Sequence, residues 1–76
     1  MKEIRFSRHA RRRAKLYNIS ESLVSEILAN MRLREGEHEI IRIVPGFRYP
    51  LKIIVSVESD IATVITNYAL MRGMKK

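Results

Sequence analysis

The sequence has no cysteine, no tryptophan and no glutamine, and only three glycines and two prolines among 76 residues. Without cysteine, disulfides, thiolate-bound zinc and cysteine nucleophiles are all excluded, and a reducing compartment is the default. Gly36, Gly46 and Gly73 stand apart from one another, which leaves no phosphate-cradling loop and no dinucleotide fingerprint. No apolar run approaches the ~18 residues of a membrane span. The opening Met1–Phe6 carries charges where a secretion signal needs its apolar stretch. A cytoplasmic protein with no membrane contact is therefore expected, and Asn18-Ile19-Ser20 matches a glycosylation acceptor only by chance. His38-Glu39 lacks the second histidine of a zinc helix and His9 lies far from it, so neither metal nor cofactor is expected. Glu35, Glu37 and Glu39 alternate in a way that fits simple solvation of a strand edge.

What is present is positive charge and enough apolar residues for one small core. Hydrophobic residues make up 46% of the chain, and a single domain over 1–76 is expected to bury about 60% of its unfolded surface. The net charge is +7, and it is unevenly placed. Lys2, Arg5, Arg8, Arg11, Arg12, Arg13 and Lys15 face Glu3 alone, so residues 1–15 carry +6, whereas residues 16–60 carry −2 and the remainder +3. Such a field calls for a polyanion, because each neutralised phosphate releases condensed counterions.

Lys2 to Phe6 alternates polar and apolar residues as a short strand does. Ser7 can cap a helix from Arg8 to Tyr17, with Ala10, Ala14 and Tyr17 on one face and bases over the others. Asn18 suits the left-handed position that ends a helix, and Ser20 can cap a second helix from Glu21 to Met31. Leu23, Val24, Ile27, Leu28 and Met31 form its apolar stripe. His38–Val44, Tyr49–Glu58 and Ile61–Leu70 are rich in Ile and Val and separated by Pro45-Gly46-Phe47 and Ser59-Asp60, so they predict an antiparallel meander. Alternation places Leu51, Ile53, Val55 and Val57 on one face, and Ala62, Val64, Thr66, Tyr68 and Leu70 on one face of the last strand. The register of the His38 strand stays open, since Ile40, Ile41 and Ile43 occupy both parities. The fold class is α+β: a two-helix hairpin on one face of a twisted, mainly antiparallel sheet, in the order β-α-α-β-β-β, with a basic tail from about residue 71.

His9 lies one helical turn before Arg13, with Arg8 and Arg12 beside them. An imidazole that can move a proton near neutral pH, next to guanidiniums that can hold a phosphate, is the minimum apparatus for metal-free RNA cleavage by the ribose 2′-hydroxyl. A half-buried structural histidine accounts for the same residues equally well.

The pattern Ser7-x-His9-Ala10-x-x-Arg13, followed by Asn18-Ile19-Ser20 and the strand Val64-Ile65-Thr66-Asn67-Tyr68, resembles a widespread uncharacterised prokaryotic family of small basic proteins. That family in turn resembles the superfamily of RelE-like, ParE-like and BrnT-like toxins, barnase and the RNase colicins. The resemblance implies a single RelE-like toxin-type domain acting as a metal-independent endoribonuclease of toxin–antitoxin type. His9, Arg13, Thr66 and Tyr68 would then be the catalytic cluster, and Arg8, Arg11, Arg12 and Lys15 the phosphate-holding residues. Where the family tends to show Arg-Gly this chain has Tyr17-Asn18, so one expected arginine is absent. The expected partner is RNA, as messenger or on the ribosome, or another nucleic acid. The alternatives are a non-catalytic RNA- or DNA-binding module and a protein-interaction domain that docks an acidic antitoxin.

Overall fold

A computed structural model describes residues 3–70. The elements are β1 (Glu3–Phe6), α1 (Arg8–Leu16), α2 (Glu21–Ala29), β2 (Gly36–Arg42), β3 (Leu51–Glu58) and β4 (Ile61–Ala69). The expected basic tail from 71 lies outside the described residues.

Each helix starts where a serine can satisfy an orphan N–H. Ser7 Oγ accepts from the Ala10 N–H and Ser20 Oγ from the Leu23 N–H, both at 3.0 Å. Asn18 takes φ 57° between the helices, and the Ile19 N–H then closes onto Ala14 O at 2.8 Å. Ile19 is thereby driven into the core. The helical hairpin is as tight as the sequence implies.

The sheet is mixed, in spatial order β1-β4-β3-β2, with β1 parallel to β4 and the other two pairings antiparallel. Ser59 (φ 50°) and Asp60 (φ 66°) join β3 to β4, the two positive-φ residues of a tight hairpin turn whose twist matches the strands. Leu51, Ile53, Val55 and Val57 on β3, with Ala62 and Val64 on β4, meet Ala10, Ala14, Val24 and Leu28 in one core. β2 starts and ends two residues before the sequence places it, and its open register resolves with Ile40 inward and Ile41 57% exposed on the opposite face.

One expectation fails in the second half of β4. Val55 pairs with Val64 but Ile54 pairs with Thr66, so Ile65 is an extra residue in the ladder. Beyond it the parity reverses. Asn67, opposite Ile53, and Ala69, opposite Leu51, now face the helices, while Thr66 and Tyr68 turn to the open face beside Ile54 and Lys52. The chain leaving β1 holds the bulge in place: the Ser7 N–H donates to Val64 O at 3.0 Å and Ser7 Oγ to Ile65 O at 2.8 Å. Asn67 Nδ2 then donates to Ala10 O at 3.3 Å, fastening the first turn of α1 to β4. Strict alternation cannot foresee this, because one inserted residue exchanges the two faces of everything after it.

Candidate nucleic-acid interface

α1 buries Ala10 and Ala14 and half-buries Arg13, leaving Arg8, His9, Arg11, Arg12 and Lys15 exposed. Among the described residues, Arg11 is the one cation of α1 with an acidic partner, Glu21 Oε2 at 3.5 Å. Both side chains are solvent-facing, so the pair contributes little beyond tying the two helices together. His9, Arg12, Arg13, Lys15 and Leu16 border an open depression of about 490 Å³, with Leu16 72% exposed at its edge. An aliphatic side chain amid cations gives this flank both charge and a surface for a base or an apolar side chain.

β1 pairs with β4 only as far as Phe6 and Val64, while β4 continues to Ala69. Among the described residues the upper flank of β4 therefore has no neighbouring strand, and α1 lies along it. Arg13 reaches past this flank: its guanidinium carbon is 6.0 Å from the Tyr68 ring centroid, the outer limit of cation–π contact. Arg13 thus joins two surfaces, the depression beside His9 and the open face of the sheet.

On that open face, Lys52 lies directly across from Tyr68. Lys52 is 7% exposed, and its Nζ stands 3.3 Å from Glu39 Oε1. The bond to the Glu39 carboxylate raises its pKa; burial opposes this, and the Glu39 charge and the Tyr68 hydroxyl add to the rise. Thr66 Oγ1 is buried two residues before Tyr68 and, among the described residues, has no hydrogen-bond partner, as is also the case for Asn67 Oδ1 on the core side.

The four residues expected to converge are therefore split. Arg13 meets Tyr68, and His9 and Arg13 share a depression, but neither Thr66 nor Tyr68 lines it. The expectation that Thr66 and Tyr68 lie on the helix-facing side is corrected by the bulge at Ile65, which turns them to the other face. Arg8, Arg11, Arg12 and Lys15 form the exposed basic surface that their spacing implies. Lys52 and Asn67 are absent from the expected set. A lysine as the second residue of an otherwise Ile- and Val-rich strand is a signal for the first; nothing short of the bulge signals the second.

No described helix is long and apolar enough to cross a membrane, and among the described residues no three potential ligands gather into a metal site. Comparison with family models, curated proteins and solved structures returns no match for this chain.

Proposed function

We propose that the protein binds RNA through the basic outer face of α1. The observation that carries this is the set of exposed cations Arg8, Arg12 and Lys15, which have no acidic partner among the described residues and sit on a helix whose opposite face is anchored to β4. An unpaired cation on a rigid element can take up a phosphate without first breaking an ion pair or ordering the backbone. The cytoplasm, where RNA and reducing conditions occur together, is the fitting compartment for a chain without cysteine. Fluorescence anisotropy with a labelled single-stranded RNA tests the proposal. Replacing Arg8, Arg12 and Lys15 together by glutamine should weaken binding at least tenfold while leaving the circular dichroism spectrum intact; unchanged affinity would refute it.

The second reading, a metal-independent endoribonuclease of toxin–antitoxin type kept in check by an acidic antitoxin, is favoured by Arg13. Its side chain lines the depression beside His9 and also lies against Tyr68. In that reading His9 moves the proton and Arg13 stabilises the transition-state anion, while Tyr68, on the open face, acts only through Arg13. Incubation with RNA in excess chelator separates the two readings. Cleavage that disappears in His9→Ala while RNA affinity is retained establishes catalysis, and absence of cleavage leaves binding alone.

A further inference from the structure

The bulge at Ile65 has a chemical result. It turns Thr66 and Tyr68 to the face of the sheet that carries Lys52, with Tyr68 directly across from Lys52 and Thr66 across from Ile54; Lys52 is 7% exposed. In a regular β4 both would point into the core. Bulges recur beside binding sites because they re-aim side chains, and this one does so at the expense of burying Asn67 with an unpaired Oδ1.

We propose that Lys52, Tyr68 and Thr66 form a phosphate-ester site on the open face, with the Glu39 carboxylate occupying it in the free protein. Three observations fit together. The Lys52 ammonium is held by a carboxylate whose own side chain is 62% exposed, so Glu39 can turn into solvent as another anion takes its place, with the Lys52 charge compensated throughout. Among the described residues the Thr66 hydroxyl has no partner, and a buried unsatisfied group of this kind calls for one. Arg13 stands at the other side of Tyr68, its guanidinium carbon 6.0 Å from the ring centroid, so a second cation lies near the same ring. A phosphate oxygen replacing the Glu39 carboxylate preserves the charge balance at Lys52 and adds hydroxyl donors that Glu39 does not use. The phosphate ester is a backbone phosphate of the RNA bound on α1, whose chain crosses the β4 flank; for its source, the site rests on the RNA-binding proposal.

The test is an amide NMR titration of the full chain with inorganic phosphate and, separately, with a short single-stranded RNA. Phosphate should shift the amides of Lys52, Thr66 and Tyr68. Glu39→Gln should tighten phosphate binding about two- to fivefold, the worth of releasing one partly exposed ion pair. Tyr68→Phe should weaken it, and Lys52→Gln should abolish the response on β3 and β4. Phosphate shifts confined to α1, or a Glu39→Gln affinity equal to or below that of the parent, would overturn the site even if Lys52→Gln fails to fold. The RNA titration keeps the two proposals apart. RNA shifts on α1 without shifts on β3 and β4 sink the open-face site and leave helix binding standing. Phosphate shifts at Lys52 without any RNA response on α1 keep the anion site and remove RNA as its source.

Discussion

Asn67 sits at zero exposure between β3 and α1, one amide hydrogen donated to Ala10 O and its oxygen unpaired. The desolvation of that oxygen is already a cost in the native state, so an apolar side chain of similar volume forfeits only one hydrogen bond. Asn67→Leu should lie within about 1 kcal/mol of the parent, whereas Asn67→Ala, which also opens a cavity, should lose about 1–3 kcal/mol. Urea midpoints decide between them, and equal losses would mean that the hydrogen bond outweighs the packing. Lys52 makes a prediction of a different kind. Its folded-state pKa is raised, chiefly by Glu39, so the stability it contributes is complete below its ordinary value of 10.5 and fades as pH climbs through the raised value. Unfolding free energies measured on either side of pH 10.5 should converge for the parent and Glu39→Gln at the alkaline end. A gap that widens with pH would reverse the assignment.

At the scale of elements, the αα-hairpin depends on one residue in the left-handed region, Asn18 at φ 57°. Asparagine tolerates that conformation, glycine adopts it freely and alanine does not. Asn18→Gly should therefore match or slightly exceed the parent in thermal midpoint, and Asn18→Ala should lose about 1 kcal/mol. A destabilised glycine variant would mean that the asparagine side chain does more than permit the turn. The hairpin was legible in advance because its signals are local: Ser7, Asn18 and Ser20 each act within three or four residues. The β3 face was legible for the same reason, with Leu51, Ile53, Val55 and Val57 reporting one unbroken period. The upper half of β4 was not. Ile65 becomes a bulge through bonds to Ser7, 58 residues away in sequence, and no window on the strand contains that partner. The candidate site divides along the same line: the basic face of α1 follows from helical spacing, while the placing of Thr66, Tyr68 and Lys52 together depends on a long-range bond.

At the scale of the molecule, the basic helix and the acidic strand are set apart among the described residues. The exposed bases of α1 lie on the far side of the core from the Glu37 and Glu39 face of β2. Several phosphate contacts from one helix predict a slope of about −3 to −6 in log affinity against log salt, near one unit per contact on duplex DNA. A filter-binding titration with a flat salt response would remove polyanion binding altogether. The parallel pairing of β1 with β4 sets a further condition, on the order of events. Among the described residues β1 has β4 as its one neighbouring strand, and both Asn67 and the bulge carbonyl that hold the start of α1 belong to β4. Helices of this length are marginal in water without tertiary support, and contacts that join distant parts of a chain form late because closing the intervening loop costs entropy first. During synthesis the arginine-rich helix is made before β4 and waits for it, so the basic face of α1 is held in place only once β4 has been made.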